Sequence, residues 1–311
     1  MPAWNELVEE FQALKVEDRH NWVRERMDAT LQAIAGRRGS NVVLYGSGFL
    51  QKPDAPPARL QITHEDLNAL MSVVYGMDWN APLTLILHTP GGVTNAAETI
   101  VSYLRAKFQR IEVVVPAFAM SAGTMVSLGS DRIVMGRQSQ LGPIDPQMPI
   151  GGRYVSARAV VDQFEKAKGE ILDDVNSAHV WAVILQSLGP SLLQEAQNAL
   201  EYGEQMVAEW MAKYMFAGDP HRVNKANTAA AHFNDAASHK SHGRRIARDE
   251  ARSFGLVIED LEDPQEFQEE VLTAYHLMTI LFDWSPTTKV LWSHKGRTFV
   301  KNWNPGGPPN Q

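Results

Sequence analysis

Residues 83–147 constrain this chain more than any other stretch: LTLILHTPGGVTNAAETIVSYLRAKFQRIEVVVPAFAMSAGTMVSLGSDRIVMGRQSQLGPIDPQ. An apolar run over 83–88 meets Thr89-Pro90-Gly91-Gly92 and then a helical pattern over 93–108. A second apolar run, 111–117, leads into a helix over 121–130, and a third strand follows over 131–135. Near-continuous apolar strands separated by helix-period segments predict a parallel sheet, since parallel neighbours need a crossover between them. The expected fold class is α/β, a parallel sheet with crossover helices, extended by a helical C-terminal part over 157–216 and 219–239. Glycines after a parallel strand let the backbone approach a ligand and turn its N–H groups outward. Beside a serine at a helix start, such a turn has the layout of an acyl-transfer site.

Composition removes several classes. There are no cysteines, which excludes disulfides, thiolate zinc sites and a cysteine nucleophile and fits a reducing cytoplasm. Net charge is −7, so nucleic acid is not the expected partner. The segment MPAWNELVEEFQALK is acidic and amphipathic, unlike a secretory leader, and no apolar run approaches the ~18 residues of a membrane span.

Around the central stretch, residues 1–36 read as one or two helices with Leu7, Phe11 and Leu14 at helical spacing. A strand over 41–50 leaves through Gly-Ser-Gly, and Thr63 starts a helix with Asp66 completing an approximate capping box. Arg248 to Phe254 forms a short helix stopped by Gly255, and Leu256-Val257-Ile258 a strand. A helix over 264–282, a hairpin over 289–302 and a disordered tail over 304–311 complete the expectation. Trp181, Met206, Trp210, Met211 and Met215 suit either core packing or an oligomer surface.

Ser121 is the candidate nucleophile. It stands at the first turn of a helix, where unpaired N–H groups and a positive partial charge favour a developing oxyanion. The competing reading makes it an N-cap, a common duty for serine. His88 precedes the Pro-Gly-Gly turn and reads as a strand-end histidine making a structural hydrogen bond. His232, His239 and His242 lie close in sequence, but without cysteines or an H-E-x-x-H pattern they do not read as metal ligands. No metal or other cofactor is expected.

The Pro-Gly-Gly turn, the small-Ser-small helix start and the later LGPIDPQ resemble the ClpP/crotonase superfamily, including a spacing of 29 residues between Gly92 and Ser121. The tetrad Ser121-Ala122-Gly123-Thr124 is closer to the SppA branch. HTPGG, AMSAGTM, LGPIDPQ and KSHGRR with FGLVIEDLED together resemble the serine dehydrogenase proteinases, over about residues 38–283. The implied division is a helical extension over 1–37, the peptidase-like domain over 38–283, and a hairpin with tail over 284–311.

The resemblance implies a serine peptidase that is usually a ring or stacked homo-oligomer and that acts on peptides or unfolded proteins. Ser121 takes the nucleophile's position, and the N–H groups of Gly92 and Ala122, with Gly91 in the same turn, take the oxyanion hole's. Asp145 stands where the ClpP histidine belongs and His242 where its acid belongs, which gives a Ser121–His242–Asp145 constellation with base and acid exchanged. SppA-like members use a lysine instead. Here the matching helix start carries Arg158, which is too basic to serve, and leaves Lys166, Lys168 and Lys240 as alternative bases. A crotonase-type acyl-CoA enzyme and a non-catalytic scaffold of the same fold remain the rivals. No residue names a partner ATPase.

Overall fold

The computed structural model describes residues 4–305 apart from 187 and 190. The chain enters as α1 (Trp4–Ala13) and α2 (Val16–Arg38), which bury Leu7, Phe11, Val23, Met27, Leu31 and Ile34 at helical spacing. Next come β1 (Asn41–Ser47), α3 (Pro57–Leu60), α4 (Asp66–Val73), β2 (Leu83–His88) and α5 (Thr94–Arg105). β3 (Ile111–Val115), β4 (Phe118–Ala119), α6 (Ala122–Leu128), β5 (Arg132–Met135) and β6 (Gln140–Leu141) follow. An arm comprises the hairpin β7 (Gln147–Ile150) and β8 (Arg153–Ser156), then α7 (Ala157–Asp173), α8 (Ser177–Gln186), α9 (Leu192–Lys213), α10 (Arg222–Asn234) and α11 (Ala236–His239). The chain returns through β9 (Ile246–Ala247), α12 (Arg248–Ser253), β10 (Ile258–Asp260), α13 (Gln265–Trp284), β11 (Thr287–Ser293) and β12 (Thr298–Asn302).

The main sheet has seven strands in the order β10-β5-β3-β2-β1-β11-β12. Its first five are mutually parallel, while β11 joins β1 antiparallel and β12 closes the edge. Every residue of β1, β2 and β3 is buried, the mark of strands covered on both faces. Alternate side chains serve two cores. Val43, Tyr45, Leu83, Leu85 and Leu87 pack with α4, α5, α6 and α9, whereas Val42, Leu44 and Ile86 pack with α1, α2 and α13. The N-terminal helices thus share a core with α13, and the terminal hairpin extends the sheet itself.

Several boundaries moved from those read in the sequence. α4 begins at Asp66 rather than Thr63, and only one half of the capping box forms: the Asp66 carboxylate accepts the Thr63 N–H at 2.8 Å, while the Thr63 hydroxyl has no partner among the described residues. The helix expected over 219–239 breaks at Asp235, whose side chain caps α11 by accepting from the N–H groups of Ala237 and Ser238. β10 starts at Ile258, after Gly255 has turned the chain at φ +83°. Trp181, Met206, Met211 and Met215 are buried within this chain, as core packing requires. Of the expected tail, residues 306–311 lie outside the described residues. No helix among the described residues is long and apolar enough to cross a membrane.

Candidate active site

A second, small sheet gathers the candidate residues. β4 and β6 run parallel, and β9 pairs antiparallel with β6 through Gln140↔Ala247 and Leu141↔Ile246. The chain therefore leaves β4 and β6, and enters β9, at one end. Ser121 lies just beyond β4, Asp145 just beyond β6 and His242 just before β9. Thr124 ties this end together: its hydroxyl donates to the Ala119 carbonyl at 2.7 Å and accepts the Gly142 N–H at 2.9 Å.

Ser121 occupies the N-cap position of α6 with φ 50° and ψ −115°, a sparsely populated conformation for a residue with a side chain. Its hydroxyl makes no capping hydrogen bond. The N-cap reading thus fits its place but not its contacts. The strand-to-helix turn places half-buried Ser121 in the wall of an open cleft of about 610 Å³.

The glycine turn faces it. The Gly91 backbone, at φ +101°, packs so closely that a Cβ there would lie 2.7 Å from both Met120 O and Ser121 Cβ. The Gly91 N–H donates to Thr89 Oγ1 at 3.1 Å, so that N–H is already engaged. The Gly91 carbonyl accepts the Ile62 N–H at 2.8 Å. A trans peptide points its N–H opposite to its C=O, so the Gly92 N–H is turned away from Ile62. The N–H groups of Gly92 and Ala122 have no acceptor among the described residues.

His242 and Asp145 meet. His242 Nδ1 lies 2.7 Å from Asp145 Oδ1, and the aspartate is 2% exposed. Gln147 Nε2 donates to the other carboxylate oxygen at 2.7 Å. A carboxylate only accepts, so in the neutral ring it selects the tautomer with the proton on Nδ1, whose Nε2 carries a free lone pair. Ser121, Gly92, Asp145 and His242 line the same cleft, but no hydrogen bond joins Ser121 to His242.

The lysines stand elsewhere. Lys166 pairs with Glu170 and Lys168 with Glu165 on the exposed face of α7. Lys240 is exposed and lines a neighbouring pocket of about 220 Å³ with Arg158. No lysine is among the described residues lining the Ser121 cleft. The expected structural hydrogen bond of His88 does not form. Both its ring nitrogens are buried without partners among Phe49, Phe118 and Tyr275, and burial pushes its pKa down to about 3. The rings of Phe49, Phe118 and Tyr275, with centroids 5.1 to 5.8 Å from that of His88, fill the space around it in place of an acceptor. His232 stacks on Phe254, and the His239 ring bonds the His232 carbonyl. Among the described residues no group of three or more potential ligands is placed to hold a metal.

Four site residues escaped the sequence reading. Gln147 and Thr89 act on residues two positions away, a local signal visible in the GPIDPQ and HTPGG segments. Tyr154 and Tyr202 line the cleft from β8 and α9, and no motif marks them. Tyr202 donates to Glu98, and desolvation with that bond raises its pKa to about 12.

Comparison with known proteins places these features. A family model described as ClpP-like SDH-type serine proteinase matches residues 21–185, which include Gly91, Gly92, Ser121 and Asp145 but not His242. Two uncharacterized proteins of Methanocaldococcus jannaschii are similar in sequence. One is 32% identical over 48% of this chain and 50% of its own length, and the other is 34% identical over 36% and 37%. The chain thus spans half or less of the curated relatives it matches. Among solved structures, a mutant of the 1510-N membrane-bound stomatin-specific protease overlaps with a TM-score of 0.41 at 17% identity, over 68% of this chain and 79% of that one. A ClpP1 mutant from Listeria monocytogenes overlaps at 0.36 and 14% identity, over 75% and 96%. The family match covers more than half of the chain, and this chain belongs to the ClpP-like SDH-type serine proteinases.

Proposed function

We propose that the chain is a serine peptidase in which Ser121 is the nucleophile, His242 the general base and Asp145 the residue that orients it. One observation carries this reading. Ser121, held in a strained turn with its hydroxyl unused as a cap, lines the same cleft as a histidine fixed from behind by a buried carboxylate.

Ser121 Oγ attacks a peptide carbonyl as its proton passes to His242 Nε2. The carbonyl oxygen, now negative, takes hydrogen bonds from the N–H groups of Gly92 and Ala122. Collapse breaks the C–N bond, and His242 returns the proton to the leaving amine. Water, deprotonated by the same nitrogen, then releases the acyl group from Ser121. Asp145 keeps its hydrogen bond to Nδ1–H throughout and stabilises the imidazolium. The gap between Ser121 and His242 closes when substrate fills the cleft, since such bonds are often long in empty sites.

Fluorophosphonate labelling with peptide mapping tests the assignment. Labelling of wild type at Ser121 that is lost in Ser121→Ala and falls in His242→Ala and Asp145→Asn supports it. Undiminished labelling of the His242 and Asp145 variants moves the base elsewhere. No labelling of folded wild type sinks the reading.

A further inference from the structure

The chain buries an ammonium group far in sequence from the site. Lys289, on β11, has a side chain with no solvent exposure, and so has Asp66 at the start of α4. Lys289 Nζ donates to both carboxylate oxygens of Asp66, at 2.9 and 2.8 Å, and to the Gln61 carbonyl at 2.6 Å, which uses all three of its protons. Asp66 also accepts from the Tyr45 hydroxyl at 3.0 Å and from the Thr63 N–H at 2.8 Å. A buried ion pair is a poor source of net stability compared with apolar residues of the same volume. Its place in the fold suggests another use.

The Gln61 carbonyl and the Ile62 N–H belong to one peptide group. With the carbonyl held by Lys289, the N–H points the opposite way, onto the Gly91 carbonyl at 2.8 Å. That carbonyl shares a peptide group with the Gly92 N–H. The Val93 N–H returns to the Ile62 carbonyl at 3.0 Å, and the Gly92 backbone fits only because it lacks a Cβ, which would fall 2.3 Å from Ile62 O. Two peptide groups in series therefore connect the buried ammonium to the N–H of Gly92, a residue that lines the cleft. Each hydrogen bond in such a chain polarises the next.

We infer that Lys289, held by Asp66, is a positioning residue that fixes and polarises the Gly92 N–H through the Gln61–Ile62 and Gly91–Gly92 peptides. The inference rests on the proposed use of Gly92 as an oxyanion donor. Without the ammonium, the Gly91–Gly92 peptide is free to rotate its N–H out of the cleft. Substrate binding through the rest of the cleft is unaffected, so the loss falls on kcat.

The test compares wild type with Lys289→Met, with Lys289→Met/Asp66→Asn, and with Lys301→Met. Lys301, on the other strand of the same hairpin, pairs with Glu65 at 2.7 Å and approaches Asp66 only to 3.9 Å, without a bond to Gln61, and serves as control. Amide hydrogen exchange at Ile62 and Val93 is read alongside kcat and KM for a fluorogenic peptide. The expected result is loss of Ile62 protection and a fall in kcat of about 10- to 100-fold in Lys289→Met, with KM within about threefold. The double variant, freed of its unpaired carboxylate, recovers melting temperature but not kcat, and Lys301→Met retains both Ile62 protection and kcat. Unchanged Ile62 protection in Lys289→Met overturns the inference, as does recovery of kcat in the double variant. A folded wild type that neither hydrolyses peptides nor labels at Ser121 defeats the peptidase reading instead, and the exchange data still decide whether Lys289 locks the turn.

Discussion

Asp145 Oδ1 sits 2.7 Å behind His242 Nδ1, while Gln147 occupies the other carboxylate oxygen. The pair fixes both the ring orientation and the tautomer of the imidazole. Asp145→Asn keeps the shape but offers an amide in place of an obligate acceptor. It should lower kcat/KM for peptide hydrolysis by about 10³–10⁴-fold with little change in fold. Steady-state kinetics with near-ultraviolet circular dichroism checks both halves.

Ser121 is held at φ 50° and ψ −115° without a compensating cap bond. Strain of this kind costs on the order of 1–3 kcal/mol. Ser121→Gly should therefore abolish hydrolysis yet raise stability by about 1 kcal/mol, the added unfolded-state freedom of glycine offsetting part of the relief. Urea unfolding of the two proteins measures the difference, and a less stable glycine variant would show that the turn stores no strain.

Gly91→Ala should lower stability and activity together. The new Cβ would lie 2.7 Å from the Met120 carbonyl, at a φ of +101°. Backbone, rather than a flexible side chain, must yield. The expectation is a loss of about 2–3 kcal/mol in stability and at least ~10²-fold in kcat, because the displaced turn carries the Gly92 N–H. Thermal unfolding and kinetics together read the two effects.

His88 is buried and unpartnered, with its pKa lowered by burial from 6.5 to about 3. The unfolded chain takes up the proton first as pH falls. The stability associated with neutral His88 is thus complete above pH 6.5 and is lost as pH drops toward about 3. His88→Phe, which suits the surrounding rings, should flatten the decline of melting temperature across that window. An unchanged slope would place the acid sensitivity in other groups.

What could be read from the residues follows the range of the interactions. The apolar runs of β2 and β3 and the helix start at Ser121 are local patterns, and each emerged within a residue or two of its expected place. The meeting of His242 with Asp145 was suggested only by the order of motifs, since no periodicity links two polar loops. Gly91 looked like a third N–H donor because its bond to Thr89 Oγ1 depends on a rotamer that no spacing reveals. Lys289 in an apolar strand was legible only as a hairpin residue. Its bond to Gln61 spans 228 positions and exists only once β11 has joined β1.

The arm from β7 to α11 departs just after Asp145 and rejoins just before His242. Both its ends are pinned by the short strands β6 and β9. The entropy of closing a loop grows only logarithmically, by about 0.6 kcal/mol for each doubling of its length. α9 and α10 pack into the main core and are held there, so it is at the tip of the arm, around α8, that residues can be gained or lost at little closure cost, with both pinned ends kept in register. That tip is where this fold is free to diversify.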